Sequence, residues 1–140
     1  MDNYVDRADR VIRELSEEAS RNRYDYKMVT TSQIRKFLTE VNRISTELFK
    51  NRNKDLVSSK IPDKIPENLQ MEIKFLKVRL AYQIGRAGGK SNNPVRDFED
   101  KAELFKEIDG IGDSLERYEN FARYVEALVA FHKFYVGEED

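Results

Sequence analysis

Cysteine is absent from the 140-residue chain, and histidine occurs once. The first absence excludes disulfides, thiolate metal sites and cysteine nucleophiles. The second leaves no basis for a histidine-rich metal cluster or a Ser-His-Asp triad. No apolar run approaches the roughly 18 residues that a membrane-spanning helix needs. The first six residues, Met1 to Asp6, carry acids where a signal peptide would carry a basic start and an apolar run. These absences predict a cytoplasmic chain with no membrane association, no cofactor, no metal and no catalytic residues. Proline (3) and glycine (6) are also scarce, so little in the chain interrupts helices.

What is present favours a small helical domain. Leu, Ile, Val and Phe total 37 residues, about a quarter of the chain, which is enough to build a core. The length fits one domain, residues 1–140. Glu, Lys, Arg, Leu and Ala dominate the rest. The expectation is an all-α fold, a single compact bundle of about five helices.

The period places those helices. Val5, Ala8, Ile12, Leu15 and Ala19 step by three and four along a first segment near residues 2–20. Its stripe is sparse, so residues 1–25 read as a weakly docked N-terminal helix. Thr30 and Gln33 fit a capping box for the second segment. That segment carries Ile34, Phe37, Leu38, Val41, Ile44 and Leu48 on one stripe, to about Lys50. The polar stretch 51–66, with Pro62 and Pro66, reads as a long loop.

The third segment, about Glu67 to Arg86, is apolar on two sides. Leu69, Ile73, Leu76, Leu80 and Ile84 form one stripe, and Met71, Phe75, Val78 and Tyr82 much of the opposite one. A helix of that kind belongs at the centre of a bundle. Asn93-Pro94 reads as the cap and first residue of a fourth segment with Val95, Phe98, Ala102, Phe105 and Ile108 inward. Asp113 with Glu116 resembles a cap for a fifth, running to about Tyr135.

Charge is balanced in total, 25 basic against 26 acidic residues, so any electrostatic argument must be local. Residues 74–96 contain Lys74, Lys77, Arg79, Arg86, Lys90 and Arg96 and no acid. On a helix Arg79 and Arg86 fall within about 20° of each other, with Gln83 beside them. Their stems lie roughly 10 Å apart along the axis. That suits successive phosphates of one strand, with Gln83 as a hydrogen-bonding partner. The other reading of these arginines is that they snorkel, or pair with acids of the following segments. Lys36, Arg43 and Lys50 form a second ridge, but Glu40 and Glu47 stand within pairing reach. Arg35 borders the apolar stripe with no acid three or four residues away and remains a contact candidate.

Other groups read as structural. Tyr24, Tyr26, Tyr82, Phe121, Tyr124, Phe131, Phe134 and Tyr135 are able to stack bases, but most sit at core spacing. His132 lies in the apolar arc of Tyr118, Ala122, Val125 and Val129 and reads as a hydrogen-bonded core histidine. Asp97, Glu99, Asp100 and the acidic tail 138–140 read as solvated. The glycines between Gly85 and Gly89 follow no strand, so they form no phosphate-cradling loop.

Three strings occur in a telling order: Thr31-Ser32-Gln33-Ile34-Arg35-Lys36-Phe37, then Arg79-Leu80-Ala81-Tyr82-Gln83-Ile84-Gly85-Arg86, then residues 124–133, Tyr-Val-Glu-Ala-Leu-Val-Ala-Phe-His-Lys. Together they resemble the small subunit of type III-A CRISPR effector complexes, the Csm complex, from about residue 30 onward. The resemblance implies a helical, non-enzymatic subunit that stacks as several copies beside other CRISPR effector subunits. It also implies contact with target RNA, and the crRNA–target duplex, through phosphates without sequence reading. Arg35, Lys36, Arg79, Gln83, Arg86 and Lys90 are the RNA-binding candidates. The alternative is a helical protein–protein adaptor whose basic edge meets an acidic partner. A helical hydrolase is the third reading, disfavoured by the missing Cys and the lone His.

Overall fold

The computed structural model describes residues 3–21, 28–57, 64–88 and 92–137, with 52–57 as backbone alone. Among these residues there are six helices: α1 (Tyr4–Arg21), α2 (Thr31–Val57), α3 (Glu67–Arg86), α4 (Pro94–Ala102), α5 (Leu104–Ile111) and α6 (Leu115–Tyr135). The described residues hold no strand, only an isolated antiparallel bridge between Lys64 and Ser114.

Local chemistry sets most helix starts. The capping box at α2 is reciprocal: Gln33 Oε1 accepts from the Thr30 amide at 2.9 Å, and Thr30 Oγ1 accepts from the Gln33 amide at 3.1 Å. Asn93 caps α4 by accepting from the Arg96 amide at 3.0 Å, and its Nδ2 donates to the Ile84 carbonyl at 2.7 Å. One side chain thereby starts α4 and ties it to the end of α3. The cap of α6 is Ser114, which accepts from the Arg117 amide, one residue later than the Asp113 cap read from sequence. The reason is tertiary. The Asp113 carbonyl accepts from the Ile65 amide at 2.8 Å, which holds residue 113 against the approach to α3.

Four expectations about where the helices run and sit are corrected. Segment four is two helices, because Glu103 adopts a left-handed conformation (φ 57°) between α4 and α5. In a continuous helix Ala102 and Leu104 would point about 200° apart; the break lets both be fully buried. Buried Glu99 secures it by accepting from the Phe105 amide at 3.1 Å, so this acid is not solvated. The helix α2 continues to Val57 instead of giving way to loop at residue 51; the apolar stripe ends at Leu48, but no proline or glycine follows until Pro62. Residues 58–63 of that expected loop, and 22–25 of the N-terminal segment, lie outside the described residues.

The third correction concerns α1, which is deeply seated. Ala8, Val11, Ile12 and Leu15 are at most 3% exposed, and the helix packs mainly on α6. Arg7 reinforces it with hydrogen bonds to Glu107 (2.8 Å) and the Ala102 carbonyl (3.0 Å), its guanidinium 4.7 Å from the Tyr124 ring centroid. The fourth concerns the centre of the bundle, which is α6 and not α3. The α6 helix packs against α1, α2 and α5, and buries Tyr118, Phe121, Tyr124, Val125, Leu128, Val129 and His132. Phe121 meets Phe37 of α2 edge to face. Burial pushes the Tyr124 hydroxyl up to about 12, so it keeps its proton and donates to the Ala102 carbonyl. His132 is a core histidine: Nε2 donates to the Val29 carbonyl at 2.6 Å, and Nδ1 lies 2.9 Å from the Thr31 hydroxyl.

Candidate nucleic-acid interface

The helices α2 and α3 lie side by side, with an open groove of about 530 Å³ between them. Lys36, Phe37, Thr39 and Glu40 line it from α2; Phe75, Val78, Arg79, Tyr82, Gln83 and Arg86 line it from α3. Four of the six sequence candidates, Lys36, Arg79, Gln83 and Arg86, therefore converge on one surface. Arg35 is exposed on α2 but does not line the groove, and Lys90 lies outside the described residues.

The candidates have different duties. Gln83 Nε2 donates to the Gln33 carbonyl at 3.0 Å, so it clamps α3 to α2 at the groove floor. Arg79 approaches Glu40 at 3.5 Å with its side chain 42% exposed. At that exposure an ion pair contributes little, about 0–1 kcal/mol. Arg86 and Lys36 are exposed at the rim.

Tertiary structure also divides the acid-free block. Lys74 and Lys77 reach Asp109 of α5 at 3.3 and 2.9 Å, and their hydrogen bonds hold its carboxyl below the usual range. Lys74 and Lys77 thus share the one carboxylate of Asp109, whereas the pairing reading named the arginines, and Arg79 meets an acid of α2 instead of one from the following segments. On α2, Arg43 pairs with Glu40 and Glu72, and Lys50 with Glu47. Arg79 and Arg86 are the cations that α3 brings to the groove.

Sequence reasoning missed the aromatic residues here. Tyr82, grouped with the core rings, is 66% exposed; Phe75 is 44%, Val78 53% and Met71 69% exposed. The arginines lie over these rings, Arg79 at 5.2 Å from the Phe75 centroid and Arg86 at 5.9 Å from that of Tyr82. A signal was available. Each ring stands four residues before an arginine, and a stripe destined for a core does not alternate with cations at that spacing. Phe134 is likewise exposed, while Tyr24 and Tyr26 lie outside the described residues.

Among the described residues no three His, Asp or Glu side chains gather where a metal ion would bind, and no helix is long and apolar enough to cross a membrane. The Csm2 Type III-A family model matches residues 6–138. The chain belongs to that family. It is 32% identical to a CRISPR system Cms protein Csm2 of Streptococcus thermophilus, over 99% of this chain and 95% of the relative. It is also 32% identical to the protein of the same description from Mycobacterium tuberculosis (strain ATCC 25618 / H37Rv), over 95% and 91%, and 29% identical to that of Enterococcus italicus, over 76% and 68%. The family matches the resemblance carried by the three sequence strings, and its model also takes in nearly all of α1.

Proposed function

We propose that the chain is a non-catalytic, cytoplasmic small subunit of a type III-A RNA-guided interference complex. It holds target RNA, and the crRNA–target duplex, along the α2–α3 groove through phosphates, and stacks with further copies and other effector subunits. Family membership supports the assembly. The convergence of Lys36, Arg79 and Arg86 on one groove is the observation that carries the RNA contact. Arginine presents several donors to phosphate oxygens, and contacts to the backbone accept any sequence, which suits a complex whose specificity lies in guide pairing. Arg35 and Lys90 are supporting contacts.

Salt dependence tests the reading. On a single strand log K falls by about 0.7 per log salt for each phosphate neutralised. Arg79→Ala with Arg86→Ala is expected to flatten the slope by about 1.4 and to weaken all sequences alike, with the thermal unfolding curve unchanged. A double variant that stays in the complex and binds as wild type at low salt would rule this edge out. The adaptor reading has one observation in its favour, the exposed apolar side chains of Met71 and, in the groove itself, Val78. It predicts loss of the subunit from the complex with RNA affinity intact.

A further inference from the structure

The groove's apolar residues are not explained by phosphate contacts. Phosphates call for donors and charge, yet Tyr82 and Phe75 expose 66% and 44% of their surface between the cations. Nor does the fold require them there. The buried face of α3 is completed by Leu69, Ile73, Leu76, Leu80 and Ile84.

The local arrangement suits a flat ligand. Tyr82 is the more open ring, with the Arg86 guanidinium 5.9 Å from its centroid. Three residues on, Gly85 adds no side chain to the same helical face, and a Cβ placed there would meet nothing within 4 Å. The surface beside the Tyr82 ring is therefore open on the Gly85 side. Phe75 and Arg79 repeat the ring–guanidinium pairing seven residues earlier, about 10 Å along the axis. The groove's volume, about 530 Å³, lies within the range of sites that take drug-sized ligands. A guanidinium over each ring, and exposed ring surface beside it, match the two parts of a nucleotide, the phosphate and the base.

We propose that Tyr82 is a stacking platform for an unpaired base of single-stranded RNA, with Phe75 as a second platform. The proposal rests on the RNA reading of the groove and narrows it. Bases inside a duplex are stacked on one another and unable to reach Tyr82, so this contact selects unpaired nucleotides whatever their sequence.

The test uses the purified full chain and three labelled RNAs of equal length: single-stranded oligoadenylate, its abasic analogue and a duplex. Tyr82→Ala is expected to weaken oligoadenylate binding about 5- to 150-fold, the range for one base–aromatic stack, and to leave the other two probes unchanged. Tyr82→Phe is expected to retain most of the affinity, because it keeps the ring. Wild-type affinity of Tyr82→Ala for oligoadenylate overturns the proposal. So does an equal loss on all three probes. Loss of Tyr82→Ala from the assembled complex with RNA affinity intact also overturns it, and marks a protein-docking face. The two readings fail separately: full affinity of the Arg79/Arg86 double variant removes the phosphate reading and leaves the Tyr82 result standing. A wild-type chain that binds none of the probes at low salt removes both.

Discussion

The helices α3 and α6 look alike in sequence, each about 20 residues long and apolar on more than one side, yet they end up in opposite environments. Around α6 the neighbours α1, α2 and α5 cover almost every large apolar residue. Along α3 only one stripe is covered, by α2, α4 and α5, and Met71, Phe75, Val78 and Tyr82 stay in solvent. The difference lies in what interrupts the second stripe. On α3 it is interleaved with Lys74, Arg79 and Arg86, whose charged heads must remain hydrated or paired. On α6 the residues between the buried ones include Ala122 and Ala127, which let neighbouring helices approach.

The largest expected effect breaks the comparison directly. Phe121→Ala on α6 removes a ring packed on Phe37 and is expected to lower stability by about 3–5 kcal/mol in denaturant unfolding. The same truncation at Phe75 on α3 is expected to stay within about 0.5 kcal/mol, as for an exposed residue. Similar losses at the two sites would mean that the outer face of α3 is covered.

A smaller effect separates the polar ties of the two helices. His132→Leu keeps volume but strands the buried Val29 carbonyl, at a cost of about 1–3 kcal/mol. Gln83→Ala loses one half-buried hydrogen bond to Gln33, a net change of about 0.5–1.5 kcal/mol. Equal thermal shifts in the two variants would erase the contrast between a sealed and a solvated tie.

The smallest effect is a difference of sign. Burial raises the Glu99 carboxyl above its ordinary value of 4.5. Its folded state therefore favours the protonated form, and that advantage is lost as pH rises through the folded pKa. Glu99→Gln is expected to stabilise the protein at pH 7, with the gain fading as pH falls toward 4.5. Asp109, held below its ordinary 3.8 by Lys77 and Lys74 on the flank of α3, behaves oppositely. Its contribution is present above 3.8 and lost as pH falls through the lowered value, so Asp109→Asn destabilises at pH 7 and not in strong acid. Unfolding curves of both variants from pH 7 down into strong acid check the signs.

Much of this protein was legible in the sequence, because period, caps and composition are local properties. Ile34 to Leu48 read as one stripe, Thr30 with Gln33 as a capping box and Asn93-Pro94 as a helix start, and each is so in the structure. The three strings pointed to the family. Arg79, Gln83 and Arg86 were placed on one edge by helical geometry alone, and Lys36 joins them across the groove. What only the tertiary structure decided depends on which helix lies next to which. It split segment four at Glu103 so that Ala102 and Leu104 both reach the core. It seated α1 through Arg7, whose partners lie about a hundred residues away. It brought Lys74 and Lys77 onto the single carboxylate of Asp109 and set Arg79 and Arg86 along the groove. It also left Tyr82 uncovered, because periodicity shows that a face is apolar but carries no information about whether another helix will arrive to cover it.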